Sequence, residues 1–166
     1  MAERRAIVEL IPRLRRYARA LAGDRAAADD LVQDTLERAW VKFHLYRDGT
    51  DLRAWLFTVM HNVHVNRVRS ARVADPLDDE TPEMAQRGAQ GDALVLRDLD
   101  RAIVRLPDEQ REVLLLVALE DMSYDEVARV LGIPIGTVMS RLSRAREKLR
   151  AMMLGLPATA KLKLVK

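Results

Sequence analysis

The sequence predicts an all-α chain of two small helical domains joined by an acidic flexible linker, the second domain containing a helix-turn-helix. Leu, Ala and Arg dominate its 166 residues. Apolar side chains recur at spacings of three and four, with little strand-like alternation. The stretch ADPLDDETPEMAQRGAQGDA breaks this pattern with prolines, glycines and acidic groups and holds little that could fill a core. The expected divisions are therefore a first domain over 1–72, a linker over 73–93, a second domain over 94–154 and a tail over 155–166.

The first helix is expected from Ile7 to Leu21, closed by Gly23. A second runs from Ala27 to about Phe43, with Ala28, Leu31, Val32, Leu36, Ala39, Trp40 and Phe43 forming its apolar stripe. After the turn RDGTD a third helix carries Leu52, Trp55, Leu56, Val59, Met60 and Val63. Beyond the linker, helical spacing resumes at Leu94, Leu96, Leu99, Ile103 and Leu106, and Pro107 stands where a new helix begins. That helix, DEQREVLLLVALE, is apolar on most of its circumference and is expected to be the buried centre of the second domain. Ser123 and Glu126 have the capping-box spacing that starts a short helix, and Gly132 suits the left-handed turn that ends it. Pro134 then opens the last helix, whose buried positions are Val138, Leu142, Ala145 and Leu149.

Composition removes several classes of function. The absence of cysteine excludes disulfides and thiolate metal sites. The longest apolar run, Val113 to Leu119, is far short of the roughly 20 residues of a membrane span. MAERRAIVEL places charges where a signal peptide needs its apolar core, so a soluble, cytoplasmic protein without membrane insertion is expected. His61 and His64 could share a helix face, but the sequence offers them no third ligand and no acid/base partner. No metal, cofactor or catalytic residue is therefore expected, and the chain is read as not an enzyme.

The net charge of +3 hides its distribution: residues 1–72 carry 14 basic and 9 acidic groups, 73–98 carry 2 and 7, 99–134 carry 4 and 8, and 135–166 carry 8 and 1. Two basic blocks suit a protein that touches a polyanion at two places. Just before the second block, Ala128 and Gly132 are four apart, as a close crossing followed by a sharp turn requires. That crossing presents the last helix to a major groove. Its outward face carries Thr137, Ser140, Arg141, Arg144 and Lys148, with Ser143 beside them, residue types suited to phosphates and to guanine edges. In the first block, Asp30, Gln33, Asp34 and Glu37 share a face of the second helix, while Asn62, Asn66, Arg67 and Arg69 lie away from the apolar stripe of the third.

AADDLVQDTLERAW resembles region 2.2 of the sigma-70 family, LRAWLFTVMHNVHVNRVRS its regions 2.3 and 2.4, and LPDEQREVLLLVALEDMSYDEVARVLGIPIGTVMSRLSRAREKL its region 4. The order, the short linker and the lack of a folded region 3 resemble the extracytoplasmic-function (ECF, group 4) sigma factors. The resemblance implies an RNA polymerase sigma factor that directs promoter-specific initiation of a stress or extracytoplasmic-signal regulon. It implies docking of Asp30, Leu31, Gln33, Asp34 and Glu37 on the β′ clamp helices of core polymerase. Capture of the melted minus 10 strand would fall to Asn62, Asn66, Arg67 and Arg69. Reading of the minus 35 duplex would fall to Thr137, Ser140, Arg141, Ser143, Arg144 and Lys148, with region 4 leaning on the β flap. An anti-sigma factor is the further partner implied.

This chain departs from the family's pattern at two places. Met139 stands on the recognition helix where relatives often have a polar or basic residue, and region 2.3 lacks a run of exposed aromatics, since Trp55 and Phe57 lie on or beside the buried stripe. The linker acids Asp75, Asp78, Asp79, Glu80 and Glu83 have the sign to mimic nucleic acid in a basic channel. The tail GLPATAKLKLVK is either a loose end or a basic phosphate contact. The alternative function is a helix-turn-helix regulator that binds a palindromic duplex without polymerase.

Overall fold

The computed structural model describes residues 2–74 and 92–155. They form helices α1 (Ala2–Ala22), α2 (Arg25–Val41), α3 (Leu52–Ala74), α4 (Asp92–Arg105), α5 (Asp108–Ala118), α6 (Tyr124–Leu131) and α7 (Ile135–Met153), with a single 3₁₀ turn over Phe43–Leu45. No strand occurs among the described residues. The acidic linker residues 75–91 and the tail from 156 lie outside them.

The local signals act as their chemistry dictates. Asp24 caps α2 by accepting from the Ala27 N–H at 3.1 Å. Both arms of the Ser123/Glu126 capping box are made, at 3.2 and 3.0 Å. Gly132 takes φ +65° at the end of α6, where a side chain would be strained. Pro107 and Pro134 stand immediately before α5 and α7, where the missing N–H costs nothing.

In the first half, α1, α2 and α3 enclose Leu14, Leu21, Leu31, Leu56, Phe57 and Met60, with Tyr17 set edge-on to Phe57. In the second half, α5 is the central helix, as expected, and its Val113 and Leu116 share a core with Leu106, Val127, Val138 and Leu142. Two stripe positions differ from expectation. Trp40 is 54% exposed and stacks under the Arg4 guanidinium at 4.4 Å, a placement that satisfies the ring without burying it. Leu96, near the start of α4, is 61% exposed although it shares a face with Ile103, which packs against the core.

The two halves pack on each other, with α1 touching α4 and α5 and α3 touching α6. Their contact is polar at its centre. Glu120 is fully buried and lies between Arg13 (3.4 Å), Arg16 (3.5 Å) and Arg53 (4.0 Å). Arg16 and Arg53 also donate to the carbonyls of Leu119 and Glu120. Arg111 donates to carbonyls of Leu21, Ile103, Val104 and Leu106, so one guanidinium ties the end of α1 to α4 and the α4–α5 turn.

Candidate nucleic-acid interface

The second basic block is built as a reader. The αL turn at Gly132 aims α7 away from α6, while Val138, Leu142 and Ala145 fix one side of α7 in the core. The other side is left to solvent. Ser140, Ser143 and Arg144 are exposed, and Thr137, Arg141 and Lys148 are half-buried. Their spacing of three and four places Thr137, Ser140, Arg141, Arg144 and Lys148 along one face, with Ser143 on its flank. Arg141 is not idle: its guanidinium reaches Glu109 on α5 at 3.5 Å. Glu109 is mostly exposed, so this pair can be exchanged for a phosphate or a base edge at small cost. Met139 and Ile135 are exposed beside the reading face and add an apolar patch at its N-terminal end.

On the first half, Asn62, Asn66 and Arg69 are exposed on α3, as is Arg72 further along. Arg67 is half-buried because it makes an ion pair with Asp34 of α2. That bond joins the expected strand-binding group to the expected polymerase-docking group. On α2, Asp30, Gln33 and Glu37 are exposed, and Gln33 donates to Glu37 at 3.3 Å. Leu31 corrects the expectation: it is only 2% exposed, packed in the core of the first half, and so positions the helix without offering a surface. Phe57 is buried and Trp55 half-buried against Phe43 and Tyr46, in keeping with the expected lack of exposed aromatics.

The charged groups inside the molecule were missed by sequence reasoning. Burial pushes the Glu120 carboxyl above its ordinary 4.5, against the opposing pull of Arg13, Arg16 and Arg53. Burial pushes the Asp108 carboxyl upward too, but a hydrogen bond and charge from His64, with Arg111 and Arg72 nearby, outweigh it and hold Asp108 below its ordinary 3.8. His64 meets Asp108 at 2.7 Å, and His61 meets Glu112 at 3.0 Å. One signal was available. Glu112 and Glu120 flank Leu116 at spacings of four, which places both carboxylates on the buried stripe of α5 and its extension.

Comparison with known proteins agrees with this layout. Residues 7–61 match the family described as the Sigma2 domain of PhyR, and residues 96–149 match Sigma-70, region 4. The second match contains all the α7 reading residues, whereas Asn62, Asn66, Arg67 and Arg69 fall just past the end of the first. The chain is 36% identical over 149 residues to the ECF RNA polymerase sigma factor EcfG of Rhodopseudomonas palustris, covering 89% of this chain and 82% of that protein. It is 39% identical over 143 residues to the ECF RNA polymerase sigma factor SigL of Mycobacterium tuberculosis, covering 81% and 79%. Among solved structures, the sigma factor RpoE in complex with the anti-sigma factor NepR from Bartonella quintana superposes with a TM-score of 0.80 at 34% identity, over 92% of this chain and 97% of that one. A helix-turn-helix with a basic outer face, joined to a helical bundle of the Sigma2 type and matched over most of its length by such relatives, places this chain in the ECF sigma factors of the sigma-70 family.

Proposed function

We propose that the chain confers promoter choice on core RNA polymerase, with the work divided between its two halves and no reaction catalysed by the chain itself. The observation that carries this reading is the coexistence of two separate outward polar faces on the two halves: α7 in the second, and adjoining faces of α2 and α3 in the first. On α7, Thr137, Ser140, Arg141, Ser143, Arg144 and Lys148 read the minus 35 duplex, with arginine suited to guanine O6 and N7. On α3, Asn62, Asn66, Arg67 and Arg69 hold the minus 10 strand, asparagine offering donor and acceptor together and arginine the phosphate contacts. On α2, Asp30, Gln33, Asp34 and Glu37 dock on the β′ clamp helices, and region 4 contacts the β flap. Asp34 and Arg67, joined in the free protein, are released to these two partners together.

The likeness to RpoE solved with NepR, and to CnrH solved with the cytosolic domain of CnrY at a TM-score of 0.67 and 30% identity, supports control by an anti-sigma factor here too. A stress or extracytoplasmic-signal regulon is the target we propose, from the resemblance to the ECF sigma factors. No helix among the described residues is long and apolar enough to cross a membrane, which suits a cytoplasmic site of action. Footprinting with and without core polymerase tests the reading. Protection of an asymmetric minus 35 element together with a permanganate-reactive minus 10 element is expected only when chain and core are both present. Tight protection of a palindromic duplex by the chain alone would overturn it in favour of a helix-turn-helix regulator.

A further inference from the structure

The contact between the halves contains a cluster that promoter recognition does not use. His61 and His64 lie one turn apart on α3, and Asp108 and Glu112 lie one turn apart on α5. Each pair is thus on one face of its own helix. The two faces meet. The ligand atoms of His64, Asp108 and Glu112 all lie within 4.8 Å of one another. His64 Nε2 is 2.7 Å from Asp108 Oδ1 and 3.8 Å from Glu112 Oε1, and His61 Nδ1 is 3.0 Å from Glu112. His64 and Glu112 are buried, so the acidic charge here is poorly solvated. The neighbouring guanidinium, Arg111, approaches Asp108 only at 4.0 Å and is committed to backbone carbonyls.

We propose that His64, Asp108 and Glu112 form a divalent transition-metal site that bridges the two halves and holds them together, with His61, hydrogen-bonded to Glu112, orienting that carboxylate. One imidazole and two carboxylates, with a fourth position left to water, are a donor set of zinc and its neighbours, and in the absence of thiolates the set suits Zn²⁺ or Co²⁺ rather than softer Cu⁺. The ion displaces the proton shared by His64 and Asp108, and the two carboxylates then balance its 2+ charge. His64 Nε2 stands 2.7 Å from Asp108 and 3.8 Å from Glu112, so shifts of about half an ångström bring both to the roughly 3.3 Å ligand separations that bonds of about 2.0–2.1 Å require. Arg111, near Asp108, would orient that carboxylate from outside the site. His64 comes from the first half and Asp108 and Glu112 from the second, so the ion is bound fully only when the halves are packed together. Binding therefore favours the packed form over any form in which α3 and α5 separate.

The test uses the full-length chain without an affinity tag, stripped with chelator and titrated with Co²⁺ and then Zn²⁺. One equivalent of Co²⁺ is expected to give d–d absorption bands that Zn²⁺ abolishes. His64→Ala and Glu112→Gln should each weaken Co²⁺ binding at least about tenfold, while His44→Ala, at the 3₁₀ turn, should leave it unchanged. Asp108→Asn, at a partly exposed position, supplies a ligand variant of milder structural effect, and circular dichroism checks that each variant is folded. In the same samples, Zn²⁺ should slow deuterium exchange in α3 and α5 of the parent and not of the variants. These readouts do not depend on polymerase or DNA, so their failure is separate from failure of the promoter reading. Absence of saturable binding at micromolar metal, or binding indifferent to His64→Ala and Asp108→Asn, would overturn the site and leave the four side chains as hydrogen-bonded partners between halves.

Discussion

Arg144 stands exposed on α7 without an ion-pair partner among the described residues, whereas Arg141 is tied to Glu109. Arg144→Ala is therefore expected to weaken minus 35 binding by about 1–3 kcal/mol and to relax preference at one base position, measured by competition between promoter variants. Met139, half-exposed on the same helix, offers only an apolar surface, which fits a thymine methyl better than a guanine edge. Asp34 is less simple because it neutralises Arg67. Asp34→Ala should reduce association with core polymerase in a pull-down, yet leave Arg67 free for phosphate. The variant is expected to keep or gain affinity for a single-stranded minus 10 oligonucleotide while losing polymerase. A parallel loss of both would mean that the Asp34–Arg67 pair is a structural tie only.

The helices were largely legible because their boundaries rest on local chemistry. Ser123, Glu126, Gly132 and Pro134 determine α6 and α7 through capping, a left-handed turn and a fixed φ, none of which needs knowledge of the rest of the chain. Trp40 and Leu31 show the limit of stripe reading. Both are large apolar residues of α2, yet Leu31 is buried in the bundle while Trp40 faces outward beneath Arg4, a choice made by tertiary contacts. Arg111 was illegible for the same reason: its acceptors are carbonyls of Leu21, Ile103, Val104 and Leu106, spread over three segments. Its removal would strand several partly buried acceptors. Arg111→Ala is expected to destabilise the fold by roughly 3 kcal/mol or more, and Arg111→Lys to recover little of it, since an ammonium cannot span that fork. Urea unfolding checks both.

In the molecule as a whole, the packing of the two halves depends on ionisation. Asp108 is held below its ordinary value in the folded chain, so its contribution is present above pH 3.8 and is lost as pH falls through the lowered value. Glu120 has the opposite sign. Its folded value lies above 4.5, so the folded chain binds the proton more tightly and stability declines as pH rises from 4.5 through the raised value. Glu120→Gln, neutral at every pH, should remove that decline, as thermal unfolding between pH 4 and 7 would register; a profile unchanged from the parent would contradict the assignment.

The packed form also bears on promoter binding. A compact chain of this length has a radius of gyration of roughly 15 Å and measures about 40 Å across. The minus 35 and minus 10 elements are about 25 base pairs apart, on the order of 85 Å at 3.4 Å per step. On the division of work proposed above, the halves part when both elements are engaged. A pair of dyes, one on each half, should show low separation in the free chain and a large increase on assembly with core polymerase and promoter. This arrangement was not legible in the sequence, because Glu112 and Glu120 only flank the apolar run Val113 to Leu119 and their partners lie in the other domain.

The most direct measurement is to reconstitute the full-length chain with core RNA polymerase and map transcription start sites across a genome. A set of starts absent with core alone, sharing one upstream pair of elements at fixed spacing, and shifted or lost with Arg144→Ala, is the predicted result. Starts no more frequent than with core alone, or a set without common elements, would contradict the assignment of promoter choice to this chain.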